Sequence, residues 1–410
     1  MFRQLYAGKL CLAPMVRSGE LPTRLLALKY GCDLVWSPEI VDKKMIQCRR
    51  VENSELETVD FIEPKADRVV LRTYPKMERD RLIFQIGTAS PELAVEAAKL
   101  VINDVAGIDL NCGCPKPFLT HLGMGQRLLS NPELLTAILN ALYDKVGKPN
   151  NKPISCKIRL MDSVTESLQL IETICRDTKI SNLTIHCRER TMRNRELPIK
   201  SYLKEIIAIG DKYGINIIIN GAVLNRNQFE QLQKYLDNYT IGAMIGEAAE
   251  SNPTVFSKLP KGFKQVTKEF LEYCVKFDNQ PLNSKYILLN QIPPKVPSHK
   301  SFLSSKSHEE MLTLVEGLDD QEGSKILIKT LQKPKLFTPQ EFEAKESFLN
   351  IDEFENIHKD IDRSQIQGKG KKNNNNKKQQ NKGNENEFNV DSRKRSIETN
   401  DPTVKKVRAQ

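Results

Sequence analysis

The sequence has no long apolar run. No stretch approaches the roughly 18 consecutive apolar residues that a membrane-spanning helix needs. The opening residues MFRQLYAGKLCLAPM also lack the long apolar core of a secretory signal and the Arg- and Ser-rich composition of a transit peptide. We therefore expect a protein that does not contact membranes and that resides in the cytoplasm, the nucleus or both.

Patterns typical of disulfide, metal and dinucleotide sites are missing as well. The nine cysteines are an odd number scattered through 410 residues, so free thiols in a reducing compartment are expected. None of the five histidines pairs with cysteines at a zinc-binding spacing, and we predict no metal site. The segment GMGQRL has only two of the three glycines of a dinucleotide fingerprint and follows a loop.

The formal net charge of +10 is unevenly distributed. From Ser364 to Gln410, 12 Lys and Arg residues face 5 Asp and Glu residues, in a segment that includes GKGKKNNNNKKQQNKGNENE. Such a segment has almost nothing to bury, which predicts a disordered basic tail. The tail is expected either to bind a polyanion or only to aid solubility, and SRKR at 392–395 and KKVR at 405–408 are either nuclear import signals or generic basic sequence.

Short β-branched or apolar runs are abundant instead. Eight candidate strands lie at 9–15, 33–39, 81–87, 107–113, 153–159, 182–188, 215–221 and 243–248. Helix-like segments lie between most of them, for example SPELAVEAAKLV, with Ser90 as N-cap and Pro91 in the first turn. This alternation predicts an α/β fold of the (β/α)8 TIM-barrel type, with a doubly wound open sheet as the alternative.

Polar and small residues recur at the carboxyl ends of these strands, where a barrel carries its active site. They are Met15, Gln85, Asn111, Lys157, Arg159, His186, Arg188, Asn220 and Gly246. The last two strands run into NGAV and IGEAAESNP, whose glycines let backbone amides approach an anion. The pattern indicates a phosphorylated ligand, with two ordinary glycine turns as the alternative.

The loop LNCGCPKPFLTHLGMG contains the most reactive candidate. Cys112 lies on the strand and is expected to be a small buried hydrophobe, whereas Cys114 comes just after the strand on a loop stiffened by Pro115 and Pro117. At the mouth of a barrel, above a phosphate site, Cys114 is a candidate acid or nucleophile. A structural role for Cys114 is the alternative.

These motifs together resemble a known family. LAPM, FQIG, DLNCGCPKPF, CKIRL, LTIHCRERTMR, NGAV and MIGEAAESNPTVF, in this order, are similar to the tRNA-dihydrouridine synthases. GCPKPF and HCRERTMR are most similar to the eukaryotic branch that modifies position 20 of the D-loop. The resemblance covers about residues 8–260 strongly, the following helical region weakly and the tail not at all.

The resemblance implies an FMN cofactor at the barrel mouth. In this family Pro14 and Met15 would line the flavin ring, Gln85 and Lys157 would hydrogen-bond it, and Asn111 would orient the ring or the target base. The phosphate would be held by His186, Asn220, Gly221 and Gly246. Arg159 and Arg188 are assigned to the substrate.

The implied reaction is the reduction of uridine to dihydrouridine in tRNA. NADPH, or NADH, would reduce the flavin, the flavin would pass a hydride to carbon 6 of a flipped-out uracil, and Cys114 would donate a proton to carbon 5. A cysteine suits this acid role because its ordinary pKa of about 8.5 keeps it mostly protonated near neutral pH.

The sequence departs from the family at two places. Glu247 stands where many members have an arginine that reaches the phosphate, which would leave phosphate binding to backbone amides and Arg188. Gln126 and Arg127 stand where smaller residues are common, which would alter the packing of the cysteine loop.

We predict three parts: an FMN-binding catalytic barrel at 1–260, a helical tRNA-binding domain at 261–350, and a linker with the basic tail at 351–410. Helices that only cap the barrel are the alternative for the middle part. A monomer is expected. Candidate phosphate contacts in the second part are Lys261, Lys264, Lys268, Lys276, Lys285, Lys295, Lys300 and Lys306.

Two other functions remain open at this point. A flavin barrel could act on a small molecule such as a free pyrimidine, although the tail and the helical extension argue against it. A noncatalytic RNA-binding scaffold is the other possibility, against which stand Asn111, Cys114, Lys157 and His186.

Overall fold

The computed structural model describes residues 2–192, 196–221, 223–292 and 296–318. The predicted tail and the linker before it lie outside the described residues, as does the predicted tRNA-binding segment beyond residue 318. No helix in the described part is long and apolar enough to cross a membrane.

The described residues form twelve strands. In chain order they are β1 (Leu10–Leu12), β2 (Leu34–Trp36), β3 (Ile40–Val41), β4 (Arg49–Asn53), β5 (Thr58–Glu63), β6 (Arg68–Thr73), β7 (Leu82–Gly87), β8 (Gly107–Cys112), β9 (Ile154–Leu160), β10 (Asn182–Glu189), β11 (Asn216–Asn220) and β12 (Gly242–Ile245).

Eight of these strands close into a parallel barrel. The order is β1, β2, β7, β8, β9, β10, β11 and β12, and β12 pairs with β1 to close the ring. In this pairing Leu12 of β1 lies opposite Ile245 of β12, and the amide of Ala13 donates to the carbonyl of Ile245 (2.9 Å). The TIM-barrel prediction and all eight predicted strands are therefore confirmed, and the open sheet is excluded.

Alternation along the strands separates two faces. Leu10 and Leu12 belong to the main hydrophobic cluster that joins the strands to the surrounding helices, while Cys11 belongs to a second cluster with Trp36 and Met244. This second cluster fills the barrel interior, because successive side chains of a strand point to opposite faces.

Within the part of the chain that the structure describes, fifteen α-helices accompany the strands. They are α1 (Arg3–Tyr6), α2 (Leu21–Lys29), α3 (Asp42–Ile46), α4 (Pro75–Glu78), α5 (Pro91–Val101), α6 (Pro117–Thr120), α7 (Pro132–Leu142), α8 (Val164–Asp177), α9 (Leu203–Lys212), α10 (Arg226–Leu236), α11 (Glu247–Ser251), α12 (Phe263–Lys276), α13 (Pro281–Gln291), α14 (His299–Ser304) and α15 (His308–Glu316). Short 3-10 turns lie at Ile102–Asp104, Gly125–Ser130 and Pro253–Phe256, and one π turn lies at Tyr143–Gly147.

Local sequence explains where several of the barrel helices begin. The Ser90 hydroxyl accepts from the amide of Leu93 at the start of α5, and Pro91 occupies the first helical position, as predicted. Asn131 caps α7 and Ser163 caps α8 in the same way. Each side-chain oxygen satisfies an amide that has no partner within its helix.

A small antiparallel sheet between β2 and β7 was not predicted. β4, β5 and β6 form this sheet, with Arg49 opposite Ile62 and Val59 opposite Thr73. The signal was present, because TVDFIE and RVVLRT are rich in β-branched residues and are separated by a short turn. The sheet was missed because the (β/α)8 pattern predicts a helix between successive barrel strands and not three further strands.

The helices after the barrel follow the predicted apolar spacing. Val266, Phe270 and Cys274 of α12 are fully buried in a separate hydrophobic cluster, which α13 to α15 complete and to which the barrel helix α2 contributes Leu26. The helices are thus confirmed. The domain boundary at residue 260 and the tRNA-binding role stay predictions.

A buried ion pair connects α2 to α4, the short helix that follows the inserted sheet. Arg24 and Glu78 are both fully buried, with Nε of Arg24 2.6 Å from Oε1 of Glu78. The guanidinium also donates to the carbonyls of Gly19 and Arg72, each at 2.7 Å, and the second carboxylate oxygen accepts from the amide of Tyr74 (3.1 Å). With this many partners, the two charges are compensated inside the protein.

Glu78→Gln should destabilise the protein by about 3 kcal/mol or more, because it leaves the guanidinium of Arg24 buried without its counter-charge. Urea unfolding of the two proteins gives the difference. Glu57→Gln, which breaks the exposed Lys76–Glu57 pair, is the control and should change the midpoint far less. Equal midpoints for Glu78→Gln and the parent would contradict the assigned role of the pair.

Candidate active site

One cavity of about 400 Å³ opens at the carboxyl end of the barrel strands. All twelve site residues predicted from the sequence line it. They are Pro14, Met15, Gln85, Asn111, Cys114, Lys157, Arg159, His186, Arg188, Asn220, Gly221 and Gly246. The rule that polar residues at strand ends converge on one mouth therefore located the cavity correctly.

Asn111 holds the loop that carries the cysteine. Its amide oxygen accepts hydrogen bonds from the backbone amides of Gly113 (2.9 Å) and Cys114 (3.0 Å), and its amide nitrogen donates to Oε1 of Gln85 (3.3 Å). On the other side of the loop, the amide of Gln126 donates to the carbonyl of Cys114 (3.0 Å). Cys114 is thus fixed at both its amide and its carbonyl.

Arg159 supports the same loop from β9. Its Nε donates to the carbonyl of Gly113 (3.1 Å), and Nη1 donates to the carbonyls of Glu189 (3.0 Å) and Met192 (3.2 Å). The side chain is buried. Arg159 was assigned to the substrate, but these three bonds show that it joins the cysteine loop to the loop after β10.

Cys114 is the one cysteine of the nine that is not buried. Desolvation raises the pKa of its thiol above the ordinary range, and Glu39 raises it further. Cys112, by contrast, is fully buried in the main hydrophobic cluster, as predicted. At neutral pH Cys114 is therefore a thiol that can donate a proton.

A buried polar network adjoins the cavity residue Gln85. Nε2 of Gln85 donates to Asp109 (2.8 Å), and the hydroxyl of Ser155 donates to the other oxygen of the same carboxyl (2.6 Å). Burial raises the pKa of Asp109 to about 6. Burial and the nearby Arg159 lower the pKa of Lys157 to about 8, and Lys157 makes no hydrogen bond or ion pair with the described residues.

The far end of the cavity is formed by β10 and β11. Nη1 of Arg188 lies 3.1 Å from Nε2 of His186, and burial together with Lys157 and Arg159 lowers the pKa of this imidazole far below its ordinary range. The ring is therefore neutral. Gly221 has φ +90°, and a Cβ there would lie 2.7 Å from Nη1 of Arg188, so glycine leaves the space that the guanidinium fills.

Carboxylates form the side of the mouth next to β12. Glu247 begins α11 and lines the cavity. Burial lowers the pKa of Arg188, and the charge of Glu247 partly opposes that shift. Glu250 accepts hydrogen bonds from Ser18 and from Asn290 of α13. The described residues contain no cluster of three or more potential metal ligands.

Sequence reasoning missed two carboxyl groups, Glu39 and Asp109. Glu39 follows β2 and lines the cavity, where burial raises its pKa to about 7. The signal was available, because Glu39 ends the run DLVWSPE and the rule applied to the other strands also covers this one. Asp109 lies within the apolar run GIDLNCG, and its alternation with Asn111 indicated an inward side chain.

Comparison with known proteins agrees with this geometry. The model of the family described as "Dihydrouridine synthase (Dus)" matches residues 11–292, which include every barrel strand except the first residue of β1. The chain belongs to the dihydrouridine synthase family. The match to this family extends beyond the barrel through α12 and α13, so these two helices belong to the shared part.

Two relatives in the dihydrouridine synthase family are about half identical to this chain. A tRNA-dihydrouridine(20) synthase [NAD(P)+] of Saccharomyces cerevisiae is 50% identical over 331 residues, which are 78% of this chain and 86% of the relative. Its Schizosaccharomyces pombe counterpart is 49% identical over 292 residues, which are 70% of this chain and 60% of the relative. A solved 2-naphthoyl-CoA reductase covers 60% of this chain and 49% of its own, at 10% identity and a TM-score of 0.39.

The raised pKa of Cys114 predicts a particular alkylation profile. Its rate of reaction with iodoacetamide should be low at pH 7, should rise with pH, and should not level off until above pH 9.0, because the thiolate is the nucleophile. Mass spectrometry of the labelled peptide measures the rate at each pH, and Cys114→Ser is the control that removes the label. A plateau below pH 8 would contradict the assigned environment.

Proposed function

We propose that this protein reduces uridine to 5,6-dihydrouridine at position 20 in the D-loop of tRNA, with NADPH or NADH as reductant and FMN as resident cofactor. One observation carries the proposal: the protonated thiol of Cys114 and Lys157, which has no hydrogen-bond acceptor among the described residues, line the same cavity at the mouth of the barrel. The names of the two fungal relatives support the substrate and the coenzyme.

The residues present fit a flavin. Lys157 is a desolvated cation without a hydrogen-bond acceptor among the described residues, which suits an anionic group of the ring. Gln85 presents a buried amide beside it, and Pro14 and Met15 supply the apolar wall. When bound, FMN would accept electrons from the nicotinamide coenzyme and supply the hydride that reduces the uracil double bond.

The opposite end of the cavity fits a phosphate. The neutral imidazole of His186 and the guanidinium of Arg188 lie beside Gly221, whose lack of a side chain keeps this corner open. Gly246 precedes α11. The amide nitrogen of Asn220 donates to the carbonyl of Met244 (2.9 Å), so Asn220 would act by holding β11 to β12.

Cys114 would donate the proton to carbon 5 of the uracil. Its raised pKa keeps the proton on sulfur until a carbanion-like carbon develops. Asn111 and Arg159 would serve this step by holding the loop rather than by contacting the base. The target base would have to leave its stack to reach the cavity.

The RNA would contact the helices beside the mouth. Of the predicted phosphate contacts there, Lys261, Lys268, Lys276, Lys300 and Lys306 are exposed. Lys285 instead donates to the carbonyls of Leu303 (3.1 Å) and Ser305 (2.8 Å), which ties α13 to the end of α14. Lys295 lies outside the described residues. A monomer in the cytoplasm or nucleus stays a prediction.

The first test is the visible absorption spectrum of the purified protein, with identification of any released chromophore. Bound FMN supports the proposal and leads to mapping of dihydrouridine in tRNA from a deletion strain. A colourless protein that cannot be reconstituted with FMN, yet binds tRNA, would support a noncatalytic scaffold. Reduction of free uridine would favour a small-molecule substrate.

Cys114→Ala should fold and keep its flavin but lose activity by about 100-fold or more, because the proton donor is removed. Mapping of dihydrouridine in an unmodified tRNA substrate measures the loss. The flavin content and the rate of flavin reduction by NADPH, which do not need the thiol, are the internal controls. Full activity in this variant would contradict the assignment.

Lys157→Met should weaken FMN binding by about 10-fold to 100-fold, since one hydrogen bond to a charged group is lost. Equilibrium dialysis of the apoprotein with FMN measures the dissociation constant. Lys99→Met, at an exposed position of α5, is the matched control and should bind FMN like the parent. Equal affinity in both variants would place the flavin away from β9.

A further inference from the structure

The proposed reaction does not use one carboxyl group of the cavity, that of Glu39. Glu39 follows β2 and lines the same cavity as Asn111, Cys114 and Lys116, and it lies close enough to these groups for them to lower the pKa of its carboxyl. Its Oε1 is buried and accepts no hydrogen bond from the described residues. Among the described residues, Oε1 of Glu39 therefore neither caps a helix nor accepts from a cation.

The backbone fixes Glu39 in this position. Glu39 directly precedes β3, whose Ile40 and Val41 pair with Ile86 and Gly87 of β7. A Cβ at Gly87 would lie only 2.6 Å from Oε1 of Glu39, so the glycine makes room for the carboxyl. Glu39 thus ends a three-residue connection between β2 and β3, and both of these strands pair with β7.

The pKa values of the two groups favour transfer of a proton from the Glu39 carboxyl to a Cys114 thiolate. Burial raises the pKa of Glu39 to about 7, opposed by Cys114, Lys116 and Asn111. Desolvation raises the pKa of Cys114 above 9.0, and Glu39 adds to that shift while Lys116 opposes it. At neutral pH the carboxyl is partly protonated, and a proton moves downhill from it to a thiolate.

On the basis of the proposed function, we propose that Glu39 is a positioning residue that acts through Cys114 and returns a proton to its sulfur after each reduction. When carbon 5 of the uracil takes the proton, the S–H bond breaks and the sulfur keeps the electron pair as a thiolate. The O–H bond of Glu39 then breaks, the S–H bond forms again, and the carboxylate takes a new proton from water at the mouth.

Glu39→Gln in the full-length holoenzyme tests this role, because glutamine keeps the shape of the side chain but cannot supply the proton. The first turnover starts from a protonated thiol and should stay within about threefold of the parent, whereas the steady-state rate should fall by about tenfold or more. The expected signature is a burst of one dihydrouridine per active site. KM for tRNA should be unchanged, and Glu39→Asp should recover part of the steady-state rate.

A purely structural role would give different results. Equal slowing of the first and later turnovers, or a steady-state rate like that of the parent, would overturn the proposal. Glu133→Gln, an exposed glutamate in the first turn of α7, is the matched control and should show parent kinetics. Flavin content and flavin reduction by NADPH should be equal in all these variants.

Alkylation of Cys114 gives a second readout that needs no RNA. Since Glu39 raises the pKa of the thiol, Glu39→Gln should lower it and speed the reaction with iodoacetamide at neutral pH. An unchanged profile would overturn the proposal even if turnover is slow. A parent protein that forms no dihydrouridine contradicts the proposed function instead, and the alkylation profile still decides whether Glu39 acts on Cys114.

Discussion

The pairing of β12 with β1 is the constraint on which the site depends. This pairing turns a row of eight strands into a ring, so that residues at strand ends as distant in sequence as Met15 and Gly246 line one cavity. The amide of Ala13 donates to the carbonyl of Ile245 at the point where both strands end. In an open sheet the same strand ends would lie along an edge and could not surround a ligand.

Ring closure also removes the polar strand ends from water, and their pKa values follow from that. One burial effect lowers the pKa of Lys157 and His186 and raises that of Glu39 and Cys114, because desolvation penalises whichever form is charged. The charges are nevertheless separated, with cations on β9 and β10 and carboxylates after β2 and β12. An anionic cofactor therefore has one favourable orientation in the cavity, with its charged groups toward β9 and β10.

The sequence predicted the barrel and the residues that line the cavity because both follow from local rules. Alternation of strands and helices determines the fold class, and the inward-pointing residues at the carboxyl ends of the strands lie at the mouth of the barrel. Contacts between loops do not follow from such rules. The three hydrogen bonds of Arg159 to backbone carbonyls depend on where the loops after β8 and β10 meet. The electrostatic influence of Glu39 on Cys114 depends on the short pairing of β3 with β7, which brings Glu39 to the cavity.

The helices after the barrel are part of the same mouth. Asn283 of α13 donates to the carbonyl of Arg17 (2.9 Å), the guanidinium of Arg17 lies 5.2 Å from the ring centre of Tyr286, and Asn290 donates to the cavity residue Glu250 (3.1 Å). The loop after β1, which carries Met15, is thereby held by α13 as well as by the barrel. A displacement of α13 would therefore be transmitted directly to one wall of the cavity through these contacts.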